Sequence, residues 1–557
     1  MEEIKNNLKL AIKDLYDLDF EPELTPSPDN IDADYSTSAP LKLAKELHKS
    51  PMQIAEELNN KFNVVVSNPG FLNFKLDDTS LDSSINNLYN DFENSIKSNE
   101  YVGQTVICEF SDPNPFKVLH VGHLYTSIVG DAISRLYEHA GAKVIRANFG
   151  GDVGLHVAKT MYALRDKNPD ELQIDDIAKC YVEGTALYED NDKAKQEITH
   201  LNKEIYKINS ENLHDSALAE LYWKGRELSY QYFDDFYASI GVKFDKYYPE
   251  STVANLGLQK VKEELEKGVY EMSDGAVIFN GEKFGLHTRV FINQEGVPTY
   301  EAKDVGLIFT KWQDWHFDKS IVITGSEQLD YMKVVLKSVE QYAPELVVKT
   351  NHLTHGLVKL PGNVKMSSRK GNFLKAVDVL NMVSDELEQA YQTKDQKISL
   401  AATKYALLKY KMGGNIIFDP QESVKMTGNS GPYLLYSAVR AKKILTRNVN
   451  DTQRVNIRDN GSKRSSEQAR VLTLPERYLM KKLLEYKVVL EEATAEMAPH
   501  KLANFLYELA QIFSRFYEGC PVISCEHEAE RIKLVKVYLD TMIHGLNLLG
   551  IEIPEEM

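Results

Sequence analysis

Residues 105–123 read TVICEFSDPNPFKVLHVGH, and the layout of the chain follows from them. The apolar run from Thr105 to Phe110 is short enough for a buried strand. Asp112-Pro113-Asn114-Pro115 makes a turn, and His120-Val121-Gly122-His123 follows. From Leu124 the period changes: Leu124, Ile128, Ala132, Leu136 and Ala140 recur every fourth residue and stop at Gly141, which predicts a helix. A second strand is expected over 143–149. The order is strand, turn, helix, strand, with two imidazoles at the first helical turn. A helix N-terminus carries free backbone N–H groups and the positive end of the helix dipole, so it suits a phosphate. Taken alone, His-x-Gly-His fits a phosphate site in other nucleotidyltransferases, or a capped helix without a ligand.

The whole sequence bounds the setting. At 557 residues the chain is too long for one core, and three or four domains are expected. The first twenty residues carry acids and a helical period rather than the pattern of a signal peptide, and no run approaches a membrane span. Cys108, Cys180, Cys520 and Cys525 are too scattered for a disulfide framework, so reduced thiols and a cytoplasmic location are expected. Cys520, Cys525 and His527 lack a fourth zinc ligand. A net charge of −17 argues against non-specific nucleic-acid binding but leaves room for a local basic site. Residues 440–470 are such a stretch, with nine Lys or Arg (Arg440, Lys442, Lys443, Arg447, Arg454, Arg458, Lys463, Arg464, Arg470) against three acids. A solvated face would look the same.

The residues around the histidines narrow the reading. EFSDPNPFKVLHVGH resembles the arginyl-tRNA synthetase form of the class I signature, E-x-S-x-P-N-x-x-K-P-x-H-x-G-H. In class I activation an amino-acid carboxylate attacks the α-phosphate of ATP, and charge builds on oxygens as pyrophosphate departs. His120 and His123 can donate hydrogen bonds to those oxygens, while Gly122 lets ATP lie against the backbone. Lys365-Met366-Ser367-Ser368-Arg369-Lys370-Gly371 looks like the second class I signature, KMSKS, in its arginyl form KMSxRKG. It sits at the end of an expected hairpin over 357–366, around Pro361-Gly362-Asn363. Ser368 stands where a second lysine is usual, so Lys117, Arg369 and Lys370 are the cations available for pyrophosphate.

In chain order, residues 1–95 read as a small α+β unit. Helical periods over 39–47 and 52–62 precede strand-like runs over 64–67 and 71–76. The pattern is similar to the N-terminal add-on domain of arginyl-tRNA synthetases, which implies tRNA contacts by Asn73 and Phe71. The residues alone favour Phe71 and Phe74 as core and Asn73 as a turn cap. Residues 96–375 read as a Rossmann-like α/β catalytic domain with a parallel sheet and a mostly helical insertion at about 155–285. After Gly150-Gly151-Asp152, Val153 and His156 stand where the family has Trp and Gln. Gly296 to Val305 resembles the family's P-T-Y-x-x-x-D-I/V. A strand over 320–324 runs into Gly325-Ser326-Glu327-Gln328, where the resemblance places the ATP ribose on Glu327. Residues 376–557 read as an all-helical domain, with apolar stripes near 379–394, 398–413, 430–447, 472–496, 499–517 and 526–549. Gly431 to Arg440 resembles G-P-Y-x-Q-Y-x-x-A-R, with Leu435 in place of Gln. The tail, down to Met557, resembles the family's too.

The resemblance spans nearly the whole chain and implies arginine–tRNA ligase activity. By that resemblance Glu109 and Asp304 bind the guanidinium of L-arginine, Tyr300 and Gln328 line the pocket, and Asn114 holds the amino acid's main-chain end. On spacing alone Asp304 could equally be a helix N-cap, and Glu109 an ion pair with a nearby lysine. ATP would meet His120, Gly122, His123, Gly325, Glu327, Met366 and Ser367. Mg²⁺ would arrive with ATP, without a dedicated protein site. The partner would be tRNA(Arg), contacted by Asn73, Tyr433, Tyr436, Arg440 and Met557, and a monomer is expected. A cysteinyl-tRNA synthetase would need a cysteine-rich zinc site that is absent. A nucleotidyltransferase using His-x-Gly-His alone has no reason to carry the C-terminal helices. Intact His120, Gly122, His123 and Lys365 argue against an inactive tRNA-binding protein.

Overall fold

A computed structural model describes residues 2–27, 31, 33–62, 64–362, 374–455 and 471–557. The chain divides into two compact units: Met1–Ser95 with Leu445–Glu485 and Ile512–Val537, and Ile96–Ile444 with Tyr486–Gln511 and Tyr538–Met557. The helices after residue 375 are therefore shared between the units.

In the first unit, helices Glu2–Tyr16, Ala39–Leu47 and Pro51–Phe62 accompany a four-stranded antiparallel sheet. Leu8, Ile12, Tyr35, Leu43, Ile54, Leu58, Leu72 and Phe74 form its core. The strand Tyr35–Thr37 was not foreseen; it pairs with Phe71–Phe74. A buried arginine joins this unit's distant segments, because Arg477, on helix Leu474–Leu484, bonds to Asp34, Asp78 and the Leu76 carbonyl.

The second unit is built on a five-stranded parallel sheet. Its strands are β1 (Thr105–Glu109), β2 (Lys143–Gly150), β3 (Lys246–Pro249), β4 (Lys319–Gly325) and β5 (Thr350–His355), in the order β5-β4-β1-β2-β3. Both faces of β1 are covered, hence its nearly continuous apolar run. β1 pairs with β2 from Thr105↔Lys143 to Glu109↔Ala147, and with β4 from Val106↔Lys319 to Glu109↔Val322. The strand order reverses at β1, so a crevice opens beyond the carboxyl ends of β1 and β4. β3 is a difference from the sequence reading: Lys246–Pro249 lies within the expected insertion but is the edge of the central sheet. KYYP is four residues long and flanked by helical pattern, too short to register as a period.

Among the helices that bear on the crevice are α1 (Val121–His139), α2 (Glu250–Glu266) and α3 (Tyr300–Trp315). α2 and α3 approach backbone to backbone. A Cβ on Gly257 would lie 1.8 Å from the Ala302 carbonyl oxygen, and one on Gly306 2.2 Å from that of Val253. The two glycines thus set how deep α3 sits, and α3 carries Tyr300, Lys303, Asp304 and Lys311. The insertion folds helices Leu155–Leu164, Ile174–Asp190, Asp192–Ser210 and Ala217–Ser239 around their own apolar cluster. The hairpin expected over 357–366 is only partly within the described residues. There Val358–Lys359 pairs in parallel with Ile416–Ile417.

Candidate active site

The crevice is a cavity of about 760 Å³. It brings together ten of the residues singled out from sequence: Glu109, Asn114, His120, Gly122, His123, Tyr300, Asp304, Gly325, Glu327 and Gln328. Lys365, Met366, Ser367, Arg369 and Lys370 lie outside the described residues. Val358 before them and Leu374 after them line the cavity. Leu374 is tied to the histidine turn, since its carbonyl accepts the Val121 N–H at 2.9 Å.

One end of the cavity is the start of α1. His120 is the N-cap, and its Nδ1 accepts the Gly122 N–H at 3.1 Å. His123 Nδ1 accepts the His120 N–H at 3.1 Å, and the rings stack at 3.7 Å between centroids. With Nδ1 an acceptor on both rings, each neutral imidazole carries its proton on Nε2. Burial, followed by the charge of Lys117, lowers the His120 pKa to about 4. Burial also holds His123 well below the ordinary histidine range. Both are neutral hydrogen-bond donors at physiological pH. Gly122 is small for a local reason as well: a Cβ there would lie 2.8 Å from His120 Cε1. Lys117 does not line the cavity; its ammonium lies 4.9 Å from the Tyr181 ring, and burial, then Lys159, lowers its pKa to about 8.

Polar side chains of the turn between β1 and α1 pin it to its surroundings. Ser111 and Asp112 have φ of 72° and 51°, a backbone region L residues rarely adopt. Ser111 Oγ bonds to the Tyr237 hydroxyl at 2.8 Å. Asp112 Oδ1 accepts the Phe149 N–H at 2.8 Å, and Asn114 Oδ1 accepts the Gly151 N–H at 2.7 Å. His156, where the family has Gln, donates from Nε2 to the Gly151 carbonyl at 2.8 Å. Val153, where the family has Trp, is buried in the insertion's cluster.

The other end of the cavity is acidic. Lys311 donates to Glu109 Oε2 at 2.7 Å and to Ser320 Oγ at 3.2 Å, and the Glu109–Lys311 pair is buried. The ion pair open from spacing is therefore present. Asp304 is not an N-cap, because Thr299 occupies that position. Its Oδ2 accepts the Tyr331 hydroxyl. Burial, helped by Glu109 and Glu250 and opposed by the Tyr331 bond, pushes Asp304 up to about 7. Burial and Glu109 likewise raise Asp112 well above the carboxylate range. Glu250 pairs with Lys303 at 2.9 Å, and Lys303 also reaches the Tyr206 hydroxyl at 3.0 Å. Tyr300 is 56% exposed at the cavity mouth. Glu327 folds over Gly325, where a Cβ would lie 2.3 Å from its carboxylate oxygens.

Asp112, Lys311, Tyr331 and Arg289 were missed. Asp112 lies inside the quoted motif at a position the family pattern leaves free. Lys311 was readable in principle, being two helical turns beyond Asp304 and so on the same face. Tyr331 and Arg289 carried no local signal.

Of the residues expected to touch tRNA, Asn73 is corrected. Its side chain is buried and fully engaged, accepting from Ser36 Oγ at 2.5 Å and donating to the Val65 carbonyl and Ser67 Oγ, both at 2.9 Å. It ties the small sheet together rather than facing a partner. Tyr433 is half-buried against Tyr507, while Tyr436 is 46% exposed, one turn from Arg440 on the helix Gly431–Val455. Leu435, the departure from Gln, is fully buried. Met557 is half-buried, on a tail held to that helix by Lys442–Glu555 at 2.6 Å.

Comparison with known proteins agrees with this geometry. The description "tRNA synthetases class I (R), catalytic domain" matches residues 85–420. "Arginyl tRNA synthetase N terminal domain" matches 2–76, and "DALR anticodon binding domain" matches 434–557. An arginine–tRNA ligase of Treponema denticola is 29% identical over 549 residues, covering 92% of this chain and 91% of that one. One of Clostridium botulinum is 28% identical, covering 99% and 100%. Among solved structures, the Thermus thermophilus arginyl-tRNA synthetase superposes with a TM-score of 0.79 at 23% identity over 100% of both chains. The Plasmodium falciparum enzyme gives 0.78 at 20% identity, over 100% and 99%; these two show the fold.

Proposed function

From the premise that the chain belongs to the class I (R) tRNA synthetases, whose catalytic-domain model spans more than half of it, we propose that it activates L-arginine with ATP and transfers it to the 3′-terminal adenosine of tRNA(Arg). The observation that carries the reading is the cavity itself, with neutral imidazole donors at one end and buried carboxylates in excess of cations at the other. The carboxylate oxygen of arginine attacks the α-phosphorus, and the bond to pyrophosphate breaks. His120 and His123 donate through Nε2 to the phosphate oxygens where charge grows, at the helix N-terminus that favours it. A transfer hydroxyl of the tRNA then attacks the aminoacyl carbonyl, and AMP leaves.

Asp304 and Glu109 supply carboxylates to the guanidinium, Tyr300 and Gln328 wall it, and Asn114, already fixed on Gly151, meets the main-chain end. Glu327 takes the ribose hydroxyls, with Gly325 beneath. Lys365, Met366, Ser367, Arg369 and Lys370 act on the phosphates, and Lys117, which does not line the cavity, adds its charge at a distance, as it does on His120 and His123. Among the described residues no group of three or more His, Cys, Asp or Glu is arranged to hold a metal ion; Mg²⁺ is assigned to the ATP phosphates, where it screens their charge. Residues 1–95, 96–375 and 376–557 are assigned to the add-on, catalytic and anticodon-binding roles. Tyr433, Tyr436, Arg440 and Met557 are the anticodon-side contacts. Among the described residues no helix is long and apolar enough to cross a membrane. Action in the cytoplasm as a monomer completes the proposal.

The test is ATP–pyrophosphate exchange with each of the twenty amino acids, with and without tRNA. Exchange with arginine alone among them is expected, and only with tRNA present. Exchange with another amino acid, or none with arginine, overturns the reading.

A further inference from the structure

Besides the Glu250–Lys303 pair, three carboxylates sit at the acidic end of the cavity, and each is anchored by one oxygen. Lys311 holds Glu109 Oε2, the Phe149 N–H holds Asp112 Oδ1, and the Tyr331 hydroxyl holds Asp304 Oδ2. Among the described residues, no hydrogen bond engages Glu109 Oε1, Asp112 Oδ2 or Asp304 Oδ1. All three residues line the cavity. Each side chain is thus oriented in advance with one acceptor left over.

We propose that Asp112 is a third carboxylate of the guanidinium subsite and a determinant of the choice of arginine, an assignment that rests on the function proposed above. The backbone supports it. Asp112 follows β1 at φ 51°, directly after Ser111 at φ 72°, and the Tyr237 and Phe149 bonds hold this rarely adopted conformation. A turn needing only shape could use glycine here. A guanidinium offers five N–H donors in a fixed fork, enough for all three oxygens, whereas an ammonium is a point charge. Burial and the neighbouring Glu109 charge disfavour the ionised form of Asp112 in the empty site, so a bound cation is what stabilises it.

The experiment compares equilibrium binding of L-arginine and L-citrulline, its uncharged ureido counterpart, to wild type, Asp112→Asn and Asp112→Ala. Asparagine tolerates the left-handed backbone and keeps an acceptor for the Phe149 N–H while losing the charge. Asp112→Asn is expected to weaken arginine binding by about 10- to 100-fold, the factor carried by a hydrogen bond to a charged group. ATP binding should be unchanged, and the preference for arginine over citrulline should shrink by the same factor. Arginine binding at wild-type strength in Asp112→Asn, with Asp112→Ala alone impaired, makes Asp112 a turn anchor only and overturns the assignment. Wild-type protein with no preference for arginine over citrulline overturns the function beneath it instead.

Discussion

The carboxylate end of the cavity and its imidazole end are both withdrawn from water, yet burial moves them in opposite directions. At Asp112 and Asp304 it disfavours negative charge and raises the pKa. At His120 and His123 it disfavours positive charge and lowers the pKa. The imidazole end is finished without a ligand: its rings are neutral, stacked and fixed as Nε2 donors by two backbone N–H groups. The carboxylate end is not: beyond the Glu109–Lys311 and Glu250–Lys303 pairs, Asp112 and Asp304 have no ion-pair partner among the described residues, and a cation from outside completes it. The difference matches what each end has to recognise. Phosphate oxygens gain charge only as the reaction proceeds and need fixed dipoles; a guanidinium is charged from the start and needs counter-charge.

The largest effect should follow from breaking the Glu109–Lys311 ion pair that the acidic end already has. Glu109→Gln leaves Lys311 charged and buried without its partner, which costs about 3–5 kcal/mol of stability. The melting temperature should drop by many degrees, and arginine binding should weaken with it. Asp304→Asn keeps the residue's size and an acceptor for Tyr331, so its cost should appear in arginine rather than in the fold. A KM for arginine raised about 100-fold or more, an unchanged KM for ATP and a near-normal melting curve are expected. If Asp304→Asn melts like Glu109→Gln and binds arginine normally, the two acids have exchanged roles.

At the imidazole end, Lys117→Ala removes a charge that acts on both rings and, in the proposed mechanism, on pyrophosphate. A fall of about 10²-fold in activation is expected, the loss typical of one transition-state electrostatic contact. Arginine affinity should stay in place, since Lys117 is not part of the acidic end. A rate unchanged in Lys117→Ala would leave pyrophosphate to the cations of residues 365–370.

How much of this contrast was legible in the sequence follows the same division. The imidazole end was readable because it is local: His120, Gly122 and His123 act through their own helix turn, within four residues. The sheet was readable where strands are long and doubly buried, as at β1 and β4, and not at β3, where KYYP is too brief to show a period. At the acidic end the anchors lie far away in sequence, Lys311 202 positions from Glu109 and Tyr331 on another element from Asp304. Resemblance pointed to the two acids, but only the fold shows that one is already paired. Asn73 went the other way, since a motif position can be held by packing as well as by a ligand.

The smallest effect is the one that separates the two ends most directly, because one solution variable should move only one of them. With Asp304 at about 7 in the unliganded protein, ionising it to receive a guanidinium becomes costly below neutrality. Arginine affinity should therefore weaken by about tenfold between pH 8 and pH 6 as the carboxyl takes up a proton. The sign for stability is the reverse. A carboxyl whose folded pKa lies above its unfolded value holds more protons folded than unfolded between the two, so its contribution to stability falls as pH rises through that range. The melting-temperature difference between Asp304→Asn and wild type should grow in the variant's favour from pH 5 to pH 8. Over pH 6–7 the imidazoles stay neutral, with His120 at about 4, and Lys117, at about 8, keeps its charge, so ATP affinity should hardly change there. Arginine binding that is flat from pH 8 to pH 6 would mean that Asp304 is ionised throughout and that the acidic end is completed without a ligand after all.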